Sequence, residues 1–517
     1  MLLTSIIAIV LIVHYLLLNV IHYKSRTMST LKFGFVYDER MLAHECLYDD
    51  NVHERPERAK LIYERLRAEG LLDGAVQIPS RLATDQEVML AHPKTLINQL
   101  DNLKTLDECE EFCKSKEILW LNTKSPETAR LAVGSAIDIV KANVEKKIGN
   151  GFAIVRPPGH HSYADLPQGY CVYNNVAIAA KYALDNLGVK RIMIADFDLH
   201  AGNGTFNSLK DDERVLFVSS HLHHYGSFWP HERDYDYDVK GNNIFIPFNA
   251  AMNSEGDLLA AYHHVVMPIA REFKPEMVIC SAGFDAGYYD VMFEEGQGIK
   301  APGYGYIARL LNELCPDRVI AIFEGGYFPK NYVESAMMLT RGLKHMSLPK
   351  IVHPARVNGS MCEVIWDCLC HHAKRWIVIA DRLEMMQKQQ EALGLAKYAP
   401  RPIKLFLANG YREHINESRD KGCLNTRDWL PIITDEHAAH GIKMIEAYIK
   451  EYDFKNPTIE LSKEERMKQL VWDERAQADC FIRNARSCLK FHDEWEKYLH
   501  EDEGCMFILN KKNPAKK

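Results

Sequence analysis

Short apolar runs that do not alternate with polar residues, each followed by a stretch of helical periodicity, constrain this chain more than any other feature of its sequence. The runs are Phe33–Tyr37, Gly151–Val155, Arg191–Ala195, Arg214–Ser219, Asn243–Pro247, Glu276–Ser281 and Arg318–Phe323. A strand with one wet face alternates polar and apolar side chains. A continuous, β-branched run is a strand buried on both faces. Helical patterns fall between the runs, at Glu57–Glu69, Glu127–Lys147, Asn174–Leu187, Asp257–Phe273, Tyr304–Leu314 and Asn331–His345. Strand–helix–strand repetition predicts an α/β fold, an open and mostly parallel sheet flanked by helices on both faces. This pattern spans residues 32–382.

From 383 to 517 the character changes. Gln387–Leu395 and Lys463–Leu499 carry Glu, Lys and Arg with apolar spacing, and Pro400, Pro402, Gly410 and Pro431 mark loops between them. We expect a mainly helical extension there, with no chemical motif and no partner that the sequence identifies. At the other end, residues 1–27 form a hydrophobic leader. Leu2 to Tyr23 is almost entirely apolar and long enough to cross a bilayer. Lys24 and Arg26 follow it, which would keep the remainder in the cytosol. The alternative is that Met28 is a second start and the leader dispensable.

The net charge is −7, without a long Lys/Arg run, so no direct nucleic-acid binding is expected. The 13 cysteines are odd in number and scattered, which predicts reduced thiols and a cytoplasmic or nuclear enzyme. Two clusters, Cys109 with Cys113 and Cys368 with Cys370, His371 and His372, lack a paired C-x-x-C frame and fall in expected helices.

Chemistry-bearing residues follow directly on expected strands: Arg156-Pro157-Pro158-Gly159-His160-His161, Asp196-Phe197-Asp198-Leu199-His200, Gly283-Phe284-Asp285 and Glu324-Gly325-Gly326-Tyr327. In open parallel sheets that rim is where ligands bind. Asp198 and His200, two apart in extended chain, point the same way and can share a metal, with Asp285 as a third ligand. One imidazole and two carboxylates leave a coordination position open, as catalytic zinc requires. His160 and His161 supply a base for a water and an acid for a leaving group. Asp196 can orient one of them and Asn203 the other. Tyr327 can donate a hydrogen bond to a developing oxyanion.

With these motifs, the sequence resembles the class II histone deacetylases of the arginase–deacetylase superfamily over roughly Lys32 to Arg382. The likeness also rests on His53 to Arg58, Gly151 to His161, Gly169 to Ala177, Asp196 to Thr205 and Ser281 to Ala286. It implies the arginase/deacetylase fold, one zinc ion on Asp198, His200 and Asp285, acid–base work by His160 and His161, and carbonyl polarisation by Tyr327. It further implies a structural potassium ion on Asp196, with Ser219 and Ser220 adjoining. The substrate channel would be walled by Gly169, Tyr170 and Trp229. The activity implied is deacetylation of acetyl-lysine in histone or other proteins, with chromatin regulation as one setting.

Departures from the family pattern bear on substrate. Tyr170 replaces the usual Phe, Trp229 stands where Phe is common, and Ala201 occupies the place of a second His that is not a ligand. Glu294 and Glu295 fall in an acidic stretch, Asp290 to Lys300, near where acetylpolyamine deacetylases carry a gatekeeper carboxylate. A solvated acidic loop is the competing reading. An acetylated polyamine is therefore the alternative substrate to an acetylated protein. Two further rivals are a binuclear manganese ureohydrolase, disfavoured because Ala201, Asn203 and Ala286-Gly287 supply no bridging carboxylate, and a membrane-tethered, non-catalytic scaffold that only binds acetyl-lysine.

Overall fold

A computed structural model of the chain describes residues 31–49, 52–223, 226, 228–230, 233–249, 253–287, 290, 298–349, 359–392 and 398–401. Eight parallel strands form one sheet: β1 (Gly34–Val36), β2 (Val76–Gln77), β3 (Gly151–Ala153), β4 (Ile192–Asp196), β5 (Val215–Leu222), β6 (Asn243–Phe248), β7 (Met277–Ala282) and β8 (Val319–Phe323). Their order across the sheet is β2-β1-β3-β8-β7-β4-β5-β6. Strands β3 to β8 are buried along their whole length, as their unbroken apolar runs require of a sheet covered on both faces.

The two-residue edge strand β2 has no counterpart among the sequence expectations, because two residues cannot show a period. It pairs with β1 through Gly34 opposite Val76. Between β4 and β5 the register sets Asp196 beside Ser219, and between β4 and β7 it sets Asp196 beside Ser281.

Helices cover each face. On one, Ser125–Val144 and Asn175–Asn186 close over Ile194, Phe217, Ile279 and Ile322. The second of these helices is capped by the Asn174 side chain, which accepts from the Ala177 N–H at 2.9 Å. On the other face, Glu57–Ala68, Ala301–Leu314 and Pro329–Leu343 close over Met193, Val218, Val278 and Phe323.

The single helix expected over Asp257–Phe273 is broken into Glu255–Ala261, a wider π turn at Tyr262–Val266, and Met267–Phe273. Pro268 lacks the N–H that the ladder needs, and the wider turn accommodates it. Helices Gly359–His372 and Ile377–Ala392 continue past the last strand and add Met361, Ile365, Leu369 and Ile379 to the same core. Among the described residues, no helix is long and apolar enough to cross a membrane; the leader, 2–23, lies outside them.

Candidate active site

β3, β8, β7 and β4 are consecutive neighbours in the sheet, and the chemistry-bearing segments leave their C-terminal ends side by side. Topology therefore brings together side chains that lie up to 167 positions apart, as His160 and Tyr327 do (327 − 160).

Asp198, His200 and Asp285 converge, each offering a ligand atom within 4.8 Å of the others. His200 Nδ1 lies 3.2 Å from Asp198 Oδ1 and 3.0 Å from Asp285 Oδ2. Backbone groups aim the two acids: the Gly325 N–H donates to Asp198 Oδ2 at 3.0 Å, and the Leu199 N–H to Asp285 Oδ1 at 2.8 Å. Burial works against a charge on His200, but Asp198 and Asp285 outweigh it and raise its pKa to about 9. Two buried carboxylates and an imidazole facing one point are a strong cation site, and one nitrogen with two oxygens is a donor set that suits a divalent metal.

The two histidines of the Pro-Pro-Gly turn lie with ring centroids 3.9 Å apart and planes tilted by 40°, and both are buried. Their environments differ. His160 Nδ1 faces Asp196 Oδ2 at 3.1 Å, whereas His161 Nδ1 faces the Asn203 amide oxygen at 2.7 Å. Burial opposes charge on His160, yet Asp198 and Asp196 raise its pKa to about 10. Burial, with His160 and His200 as like-charged neighbours, pushes His161 well below its ordinary value. One ring is thus held charged and the other neutral.

Tyr327 sits at the end of β8 on a loop that Gly326 turns with a φ of +107°, a conformation side-chain-bearing residues rarely adopt. Burial keeps its phenol protonated, and hence a donor. Its ring lies edge-on to Tyr170, 5.8 Å between centroids. Trp229 packs edge-on against His161 at 4.6 Å. Gly169 comes between them: a Cβ there would lie 2.6 Å from the His161 ring and 3.0 Å from that of Trp229. Asp196, Ser219 and Ser220 are buried on the adjoining strands. Glu294 and Glu295 lie outside the described residues.

Sequence reasoning named the side chains that meet here and, in Asp196 and Asn203, two that orient them, but gave no holding role to the residues that fasten the surrounding loops. Glu54 is buried between two arginines, accepting from Arg58 at 2.9 Å and from Arg156 at 3.0 and 2.6 Å. Arg58 then donates to the carbonyls of Glu324 and Gly326, fastening the Tyr327 loop. Glu324 accepts from the Gly159 and His160 N–H groups at 2.6 and 3.2 Å, fastening the histidine turn. Asp290 accepts from the Tyr327 and Phe328 N–H groups at 2.7 and 3.2 Å. Phe228 stacks on His200 at 5.2 Å, and Glu117 accepts from the Trp229 indole at 2.7 Å. Arg58 falls at i, i+4, i+8 spacing with Ile62 and Leu66 on the buried stripe of its helix, and a charge on that stripe was the available signal, since a buried charge is paired.

Comparison with known proteins agrees with this geometry. Residues 52–343 match the histone deacetylase domain. The chain is similar to histone deacetylase 5 of Arabidopsis thaliana, 34% identical over 78% of this chain and 61% of that protein. It is also similar to the polyamine deacetylase HDAC10 of Danio rerio, 35% identical over 62% of this chain and 48% of that protein. The match thus spans about half to three-fifths of these relatives' length. Among solved structures, the HDA15 HD domain superposes with a TM-score of 0.62 at 30% identity, covering 70% of this chain and 99% of that one. With a domain match over more than half its length and the same sheet beneath the site, the chain belongs to the histone deacetylase family of the arginase–deacetylase superfamily.

Proposed function

We propose that this protein hydrolyses the acetamide of an acetylated amine, releasing acetate, and that acetyl-lysine in a protein is its substrate. The convergence of Asp198, His200 and Asp285 beside an unequal histidine pair is the observation that carries this reading. Zinc, held by those three residues, would polarise the acetamide carbonyl and acidify a water. His161, neutral and with Nδ1–H given to Asn203, presents Nε2 as the base that takes the water's proton. The same depressed pKa makes its conjugate acid a strong donor, so His161 returns that proton to the leaving amine. His160 stays charged beside Asp196 and Asp198 and stabilises the negative charge that develops nearby. Tyr327 donates its phenol hydrogen to the carbonyl oxygen as it gains charge. Tyr170 and Trp229 wall the approach and exclude water. Potassium would lie with Asp196, Ser219 and Ser220.

An acetylated polyamine is the second reading, supported by the relatives named polyamine deacetylase HDAC10 and by the acidic Glu294 and Glu295. The two separate in one experiment: acetate release from an acetyl-lysine peptide and from N8-acetylspermidine by zinc-loaded protein. Preference for the peptide supports the first reading, and preference for the polyamine replaces it with the second. In the same assay Tyr327→Phe should lower kcat by about 10²–10³-fold with zinc still bound. Unchanged turnover in that variant would end the proposed mechanism. Residues 2–23 are read as a membrane anchor with the catalytic unit in the cytosol, on the strength of their apolar length. Extraction of the full chain from membranes at alkaline pH without detergent would exclude it.

A further inference from the structure

Arg401 lies in a stretch for which the sequence suggests no chemical role, yet it is deeply paired. Its guanidinium meets both oxygens of Asp236, at 3.0 and 2.6 Å, and both residues are buried. Its backbone N–H donates to Asp367 at 2.9 Å, where the Tyr398 hydroxyl also donates at 2.8 Å. The Tyr237 hydroxyl donates to the Arg401 carbonyl. A buried ion pair loses in desolvation much of what it gains in attraction, but either charge left alone would be stranded, so the pair holds its two segments together.

That geometry concerns the neighbouring residue. The Tyr235 hydroxyl lies 3.0 Å from the hydroxyl of Tyr163. The Asn203 Nδ2 donates to Tyr163 at 3.3 Å, and the Asn203 Oδ1 faces His161 Nδ1 at 2.7 Å. The directions of the two Asn203 bonds follow from one another. Because the Asn203 amide gives its hydrogen to Tyr163, its oxygen faces the imidazole, and His161 Nδ1 must carry the hydrogen. The lone pair is then on Nε2. Tyr163 shares a further hydrogen bond with the Tyr235 hydroxyl, in which either oxygen can donate. The Tyr235 ring is also packed edge-on to Phe245 at 5.9 Å, and its carbonyl faces His221 Nε2 at 2.8 Å. Those contacts seat the ring, and the Arg401–Asp236 clamp fixes the chain on its other side.

We infer that Arg401 is a positioning residue of the catalytic centre: by clamping Asp236 it places Tyr235, and through Tyr163 and Asn203 it sets the tautomer and orientation of His161. The inference rests on the reading of His161 as the proton carrier. It gives the segment beyond residue 382 a part in the chemistry, at a distance from the substrate.

The test uses the full chain carrying Arg401→Gln, Tyr235→Phe or both. Each single change should lower kcat for an acetyl-lysine peptide about tenfold, as loss of an outer support does, with KM unchanged. The double variant should fall no further than the worse single one, because both act on one line. The 15N resonance of His161 Nδ1, identified by its absence in His161→Gln, should move in both single variants. Losses that multiply, or a His161 resonance that stays put while only thermal stability falls, would make Arg401 a packing residue and overturn the inference. If Arg401→Gln does not fold, Arg401→Lys, which keeps the buried cation but not both bonds to Asp236, takes its place in the same two readouts. A wild-type protein that releases acetate from neither the peptide nor N8-acetylspermidine would remove the proposed function, and the resonance would still report on the link.

Discussion

An oxygen-for-nitrogen difference is one of those that separate the two active-site histidines. His160 has a carboxylate at Nδ1 and Asp198 beside it, which together favour its charged form, whereas burial and the neighbouring His160 and His200 favour the neutral form of His161, whose Nδ1 meets only an amide. Asn203→Asp should narrow the asymmetry. A carboxylate at 2.7 Å would favour the imidazolium, raise the His161 pKa and move the acidic limb of the kcat–pH profile upward by about one pH unit or more. A profile that does not move would mean that His161 is not the group whose deprotonation the rate requires. At Gly169, Ala should lower kcat and KM-normalised rate together, since its methyl would press on the His161 and Trp229 rings and its φ of +56° is strained for any side chain. Steady-state kinetics on soluble variant would show this, and wild-type rates would mean the loop gives way without consequence. These positions were legible from the sequence as candidates because metal and proton chemistry admits few residue types. Tyr163 and Tyr235 were not, since a tyrosine that supports through its hydroxyl has the same sequence signature as one that only packs.

Among elements, the helix Glu57–Ala68 with Glu54 just before it does the most to assemble the site. Glu54 and Arg58, one turn apart, tie it to Arg156 after β3 and to the Tyr327 loop after β8. Burial alone would raise the Glu54 pKa, but Arg156, Arg58 and His44 reverse this and bring it to about 2, from an ordinary 4.5. With the folded value depressed, the stabilisation is complete above pH 4.5 and is lost as pH falls from there toward 2. Glu54→Gln leaves two buried guanidinium groups without their acid and should destabilise the protein by about 3–5 kcal/mol at neutral pH. It should also flatten the acid dependence between those two values. Urea denaturation at pH 7 and at pH 4 measures both effects, and equal stability of variant and wild type at pH 7 would show that the two cations find other partners. The sequence marked His53 to Arg58 only by family likeness, because a buried network is a property of the approach of three separate elements.

For the molecule as a whole, the matched domain ends at residue 343, but the hydrophobic core does not. Met361, Val364, Ile365, Cys368, Leu369, Trp376 and Ile379, on the helices that follow, are buried in it. Fully burying one large apolar side chain is worth about 1.5–3 kcal/mol, and a domain is stable by only about 5–15 kcal/mol. A chain ending at 343 should therefore fail to unfold cooperatively or should aggregate, whereas one ending at 401 should retain a single sharp thermal transition. A sharp transition at an unchanged temperature in the shorter chain would mean that the two helices are an accessory layer.

The layered α/β architecture was readable from the residues alone, because short β-branched apolar runs without alternation, set between helical stretches, fit a sheet covered on both faces. So were the side chains that could carry metal and proton chemistry. Tertiary structure alone decided that β3, β8, β7 and β4 stand next to one another, and hence that Asp198, His200 and Asp285 face one point. It alone decided that Glu54, Arg58, Glu324 and Asp290 hold the loops of the site from outside. A strand's period reports which faces are buried but carries no information about its neighbours, and a buried charge takes its meaning from the partner it meets across the fold.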